Sequence, residues 1–291
     1  MTLSVDAAIE TARTVAGELG IAAAPVLLAD RSNLVLRLDP HPLVARVAMA
    51  TSLARVGMAW LRREVDVSRF LASRGARVTR PASRVDPGPF ERDGFVVSFW
   101  ELETIAADRA DPAEAGAGLA EAHRALAEYA GPALPGWGAF EEARSVLARA
   151  RRAGSFAPAE LARIERAWER AERVVASART RSASFQVVHG DAHIGNVLGT
   201  ARGAVWTDWE DAFVGPVEYD LACLRSKAEL FGEERDAIDA MTSAYGGGYD
   251  RDLARELGIV RNVQVIVWLA LFAERQPELV PRMRARIERL P

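Results

Sequence analysis

The run "VVHGDAHIGNVLGTARGAVWTDWEDA", residues 187–212, sets two His, one Asn and four Asp or Glu between short apolar segments. Three chemistries compete for it. If residues 189–193 formed a strand, His189, Asp191 and His193 would share one face, a spacing able to bind zinc. A catalytic zinc needs about three protein ligands. Only His41 and His123 remain elsewhere, and Gly190 and Gly195 argue against a continuous strand. The second reading is a surface loop whose Asp and Asn cap turns, which accounts for single residues but not for the set. The third is phosphoryl transfer, which needs a carboxylate beside the attacking hydroxyl and oxygen ligands for a metal ion on the nucleotide phosphates. Asp191, Asn196 five residues on, and Asp208 after the next apolar segment supply those groups. Magnesium keeps several waters and takes few protein ligands, so one Asn and one Asp suffice for it.

"HGDAHIGNVL" (189–198) followed by "VWTDWEDAFVGPVEYDLA" (205–222) resembles the aminoglycoside phosphotransferase family, small-molecule kinases with a protein-kinase-like fold. The resemblance implies that Asp191 is the catalytic base and that Asn196 and Asp208 hold Mg²⁺. It makes His189, His193 and Asp220 braces of the loop. It also implies a bilobal α+β fold: an N-terminal antiparallel sheet with one helix, then a larger, mainly helical C-terminal lobe.

The first hundred residues fit that expectation. "APVLLADRSNLVLRLDPHPLVARVAM" (24–49) alternates apolar and polar residues around turn signals at 30–33 and 39–42, the pattern of three antiparallel strands. Helical spacing of Leu61, Val65, Phe70 and Leu71 predicts a helix over 58–74. "ARVTRPASRV" (76–85) and "GFVVSFWEL" (94–102) read as two further strands. By resemblance, Arg46 on the third strand clamps phosphates and pairs with Glu64 on the helix, where protein kinases use a lysine. The only lysine, Lys227, lies far into the helical part. The turn "LADRSNLVL" (28–36) lacks the glycines of a kinase phosphate loop, but Ser32 and Asn33 stand where family members often carry Ser-Asn. Phe99, Trp100 and Glu101 would carry backbone groups to the nucleobase.

Beyond Glu103 the chain turns to Ala-, Arg- and Glu-rich helices, predicted over 112–129, 141–153 and 158–178 and again from Tyr219 onward, broken at "YGGGYD" (245–250). Short strands are expected at 185–188, 197–198 and 204–207. His123 in "GLAEAHRAL" (118–126) reads as a packing residue. The division expected is an N-terminal nucleotide-binding lobe, 1–103, and a C-terminal lobe, 104–291, with the catalytic loop and substrate site.

Bulk properties exclude several classes. The chain has 291 residues, 49% hydrophobic and 26% charged, with a net charge of −3, so no basic field points to nucleic acid. One cysteine, Cys223, excludes an intrachain disulfide. The N-terminus lacks the pattern of a signal peptide. The longest apolar run, "VIVWLALFA" (265–273), is too short to span a bilayer and reads as a buried helix. A cytoplasmic enzyme using ATP, or GTP, with Mg²⁺ and a small-molecule acceptor is the expectation. Glu210, Asp211, Glu218 and Glu229 are acidic candidates for an aminoglycoside or other cationic metabolite. A catalytically silent nucleotide-binding protein stays open as the alternative, as do the acceptor's identity and the oligomeric state.

Overall fold

The computed structural model describes residues 4–30, 33–49, 55 and 57–291. Helix α1 (Val5–Glu18) begins where the Ser4 hydroxyl accepts the Ala7 N–H, the usual service of a serine N-cap. Strands β1 (Ala24–Asp30), β2 (Asn33–Asp39) and β3 (Leu43–Ala48) follow as the expected antiparallel series. Helix α2 (Ala59–Ser73) comes next, then β4 (Phe90–Arg92) and β5 (Phe95–Glu101). The sheet order is β1-β2-β3-β5-β4.

One expected strand is not there. Residues 76–85 make only isolated bridges, Val78 with Trp206 and Pro81 with Trp100. Pro81 has no N–H to give a ladder. The fifth strand is instead Phe90–Arg92, paired with β5 through a two-residue turn at Asp93-Gly94. Both turn residues have positive φ, 51° and 77°, and Asp-Gly is the favoured pair for such a hairpin. "ERDGF" carried that signal.

The sheet packs its Leu34, Leu36, Leu38 and Phe99 face against Ala8, Ala12 and Val15 of α1. The second, larger core gathers the helices: α3 (Pro112–Leu126), α4 (Gly138–Ala153), α5 (Pro158–Arg181), α6 (Val217–Phe231), α7 (Arg235–Tyr245), α8 (Arg251–Phe272) and α9 (Val280–Ile287). Two small antiparallel ladders sit among them. One pairs β7 (Phe185–Val188) with β10 (Phe213–Pro216); the other runs β6 (Ile105–Ala107), β8 (Val197–Thr200), β9 (Gly203–Trp206). Strands β6 (IAA) and β10 (FVGP) show no alternation of apolar and polar residues and are not among the expected strands. The chain is thus an antiparallel sheet with helices at its N-terminal end and a mainly helical remainder, the protein-kinase-like α+β architecture. Among the described residues no helix is long and apolar enough to cross a membrane.

Candidate active site

The residues 189–196 hang between β7 and β8, and Asp208 follows β9. What brings them together is Thr207. Its N–H donates to the Asn196 carbonyl at 3.0 Å, and its carbonyl accepts from His189 Nε2 at 3.0 Å. Both backbone groups ahead of Asp208 are therefore tied to the loop that carries Asp191 and Asn196. Asp208 itself turns the chain in the left-handed region, φ 70°, a conformation that Asp tolerates better than most residues.

His189 is fully buried, its ring 5.3 Å from Trp206 and 4.4 Å from Trp209. With Nε2 donating to Thr207, Nδ1 is the acceptor and takes the Asp191 N–H at 3.3 Å. Neither nitrogen is left for a metal, which removes the zinc reading of this histidine. Asp220, in the first turn of α6, accepts the N–H groups of His189 at 2.7 Å and Gly190 at 2.9 Å. His123 adds its Nε2 to the same carboxylate at 2.8 Å while Nδ1 meets the Tyr245 hydroxyl at 2.9 Å. His123 thus does more than pack. Gly190 has φ 84°, and a Cβ there would stand 2.2 Å from the Asp211 carbonyl. Only glycine lets the two segments approach so closely.

The Asp191 carboxylate is partly exposed, at 23%. The Asn196 amide nitrogen donates to the Asp191 carbonyl at 3.0 Å and reaches Oδ2 at 3.4 Å. His193 Nε2 lies 3.5 Å from Oδ2, and its Nδ1 accepts the Gly195 N–H at 3.0 Å. Oδ1 accepts from Arg261 Nη2 of α8. Burial pushes the carboxyl up, but the charges of Arg261 and His193 outweigh it and hold it well below the usual carboxylate range.

Across the cleft, Arg46 of β3 bonds the fully buried Glu64 of α2. The same guanidinium reaches Asp208 Oδ1 at 2.7 Å and Glu210 Oε2 at 3.5 Å. Asn33 donates to Glu210 Oε2 at 3.1 Å. Burial pushes Glu64 up to about 7 against the pull of Arg46. It also pushes Glu210 well above the usual range, with Asp208 adding to the effect. Arg46 is held above its ordinary value because Glu64, Asp208 and Glu210 together outweigh its own burial.

The hinge strand divides its residues by alternation. Trp100 faces the cleft, its ring 5.9 Å from the Arg46 guanidinium and its indole N–H on Ser98 Oγ at 2.9 Å. Phe99 points the other way, into the α1 core. The Phe99 N–H donates to Pro87 O at 2.9 Å, its carbonyl accepts from Ala82 at 3.0 Å, and the Glu101 N–H donates to Arg80 O at 2.9 Å. The Glu101 carboxylate accepts from Ser83. The N–H groups of Phe99 and Glu101 are therefore spent within the chain. Ser32 lies outside the described residues.

A cavity of about 640 Å³, counted to its open mouth, borders Asp191, Asp208, Glu210, Asp211, Arg55 and Arg261. Its far wall is the apolar run of α8, so "VIVWLALFA" is not wholly core: Val265, Trp268 and Phe272 turn to the cavity. Asp211, which burial pushes up against the pull of Arg55, is paired to that arginine. Arg55 also holds Glu210 at 3.2 Å and Glu142 of α4 at 2.7 Å, between the rings of Trp60 and Trp268. Glu218 does not join this cavity. It is fully buried away from this cavity, one oxygen on Ser182 Oγ at 2.7 Å and the other on the Asp250 N–H at 3.0 Å. Glu229 pairs with Arg225 one turn away on α6. Arg55, Glu142, Arg261 and Gln264 escaped the sequence reading, since nothing marks two arginines among 36.

The donor set suits a hard cation. Asn196 commits its amide nitrogen to Asp191, so its oxygen is the atom open to a metal, and Asp208 adds a carboxylate that is 26% exposed. Such a set matches an ion that keeps most of its waters.

Comparison with known proteins agrees with this geometry. The model of the phosphotransferase enzyme family matches residues 26–257. No curated protein matches the sequence. Among solved structures, a microcompartment-associated aminopropanol kinase superposes with a TM-score of 0.74 at 15% identity, covering 96% of this chain and 95% of that one. The amicoumacin kinase hAmiN, solved with AMP-PNP, Ca²⁺ and Ami, gives 0.69 at 15% identity, covering 96% and 94%. The aminoglycoside phosphotransferase APH(3'')-Id of Streptomyces rimosus gives 0.60 at 20% identity, covering 90% and 99%. At these identities the likeness is one of fold. The family match spans most of the length and contains Arg46, Glu64 and the motifs over 189–222: the chain belongs to the phosphotransferase enzyme family and is a small-molecule kinase with an alcohol group as acceptor.

Proposed function

We propose that the protein transfers the γ-phosphate of ATP to a hydroxyl of a small molecule, with Asp191 as the base. The donor is assigned to the cleft between an N-terminal lobe, 1–103, and a C-terminal lobe, 104–291. Asn196 and Asp208 would hold Mg²⁺, which when bound neutralises phosphate charge. Arg46, kept in place by Glu64, adds a fixed positive charge for the phosphates, with Asn33 beside it. Asp191 orients the acceptor hydroxyl and takes its proton as the new O–P bond forms and the bond from the γ-phosphorus to the bridging oxygen breaks, releasing ADP. His189, His193 and Asp220 hold the loop in shape. The observation that carries this reading is the double tie at Thr207, which sets Asp208 against the Asp191–Asn196 loop.

The test is Mg²⁺-dependent ATP turnover, with water or an added alcohol as acceptor. Asp191→Ala should lower the rate by about 10²–10⁴-fold with the far-UV circular dichroism unchanged. Wild-type turnover in that variant would sink the assignment.

A further inference from the structure

Helix α8 turns one stripe to the cavity: Arg261, Gln264, Val265, Trp268, Leu269 and Phe272, spaced three or four apart. The stripe is graded. Its first two residues are polar, and Arg261 bonds Asp191; its last turns carry Trp268 and Phe272, with ring centroids 5.5 Å apart.

Arg261 spends one arm, Nη2, on Asp191 Oδ1. Its Nη1 reaches Gln264 Oε1 only at 3.4 Å, and that oxygen already accepts the Tyr219 hydroxyl. A guanidinium has five N–H donors, so Arg261 has capacity left for a ligand. The other cation on the cavity, Arg55, commits four of its five donors to Glu142, Glu210 and Asp211. The remaining acids are covered too: Asp208 by Arg46, Glu210 by Arg46, Arg55 and Asn33, Asp211 by Arg55.

A hydroxyl that reaches Asp191 brings its neighbouring atoms against Arg261. An ammonium there would meet a fixed positive charge on a side chain only 12% exposed. An anionic oxygen would gain a charge-assisted pair with a planar fork. We infer, resting on the assignment of Asp191 as base, that Arg261 anchors the acceptor. One arm holds Asp191 and the other binds an anionic oxygen next to the acceptor hydroxyl. The acceptor class is a hydroxy acid whose apolar body lies along Val265, Trp268 and Phe272.

The experiment is calorimetric titration of the full chain with Mg²⁺ and AMP-PNP present. Its three probes share a benzyl body and a secondary hydroxyl: 3-phenyllactate, 3-phenyllactamide and 1-amino-3-phenylpropan-2-ol. Phenyllactate should bind about tenfold or more tighter than the amide, and the amine weakest, as a charge-assisted hydrogen bond requires. Arg261→Gln should erase the preference, and Arg261→Lys should keep part of it. Equal binding of all three, tighter binding of the amine, or no binding at millimolar concentration overturns the anchor. Asp191-dependent ATP turnover, measured on the same samples, separates the two ideas. A carboxylate preference without that turnover sinks the phosphotransfer reading alone, and turnover without the preference sinks the anchor alone.

Discussion

Asp220 holds the backbone of Gly190 from 30 residues along the chain, Oδ1 accepting the glycine N–H at 2.9 Å while Oδ2 takes that of His189. A buried carboxylate here does the work of a strand partner for a loop that has none. Because the acceptor comes from α6, the loop over 189–196 inherits the rigidity of a packed helix rather than its own.

Removing that carboxylate should therefore be costly. Asp220→Ala strands two backbone N–H groups and the His123 ring in the interior, each unsatisfied donor costing about 1–3 kcal/mol. A total loss of at least about 3 kcal/mol is expected in urea denaturation, with Asp220→Asn intermediate because one acceptor oxygen survives. An alanine variant as stable as the parent would show that water replaces the carboxylate.

Gly190→Ala should be as damaging for a different reason. The added methyl would stand 2.2 Å from a backbone oxygen, at a φ of 84°, and backbone cannot swing aside as a side-chain tip can. Both stability and turnover should fall. Gly17→Ala on α1 is the control, with open space around it and an ordinary φ; there a gain of about 0.5–1 kcal/mol is expected. Equal effects at the two sites, read by thermal denaturation, would discount the close approach.

The cluster around Arg46 predicts a pH dependence. Glu64 titrates at about 7 in the folded chain against 4.5 ordinarily, so between those values the folded state binds protons that the unfolded chain has released. Stability therefore falls as pH rises through that window. Glu210 and Asp211, also pushed up by burial, act in the same direction. Glu64→Gln should flatten the decline between about pH 4.5 and 7 without abolishing it. Denaturation midpoints that rise across that range in the parent would contradict the burial argument.

The parts of this fold that were legible in sequence are those where local pattern and tertiary role coincide. The strands over 24–49 alternate because one face meets α1, and Asp191, Asn196 and Asp208 keep a spacing that short strands on either side impose. The strand expected over 76–85 failed on Pro81, and the true edge strand was signalled by Asp93-Gly94 instead. Phe99 and Trp100 are adjacent aromatics that the strand sends to opposite faces, Phe99 to the α1 core and Trp100 towards Arg46, a division that follows from the period of two. Arg55 and Arg261 were beyond reach. Each meets its carboxylates across long sequence separations, 155 residues between Arg55 and Glu210 and 70 between Arg261 and Asp191, and no local pattern encodes which arginine folds inward.

Arg46 has one more consequence. A nucleotide analogue armed with an amine-reactive acyl phosphate labels a kinase by acylating the lysine beside its phosphates. On the proposed assignment this chain offers the Arg46 guanidinium at that place, which stays protonated and is no nucleophile. Its single amine side chain, Lys227, sits on α6 beside Glu234 at 3.8 Å. Surveys that harvest kinases by such covalent tagging will pass over this enzyme, however active it is.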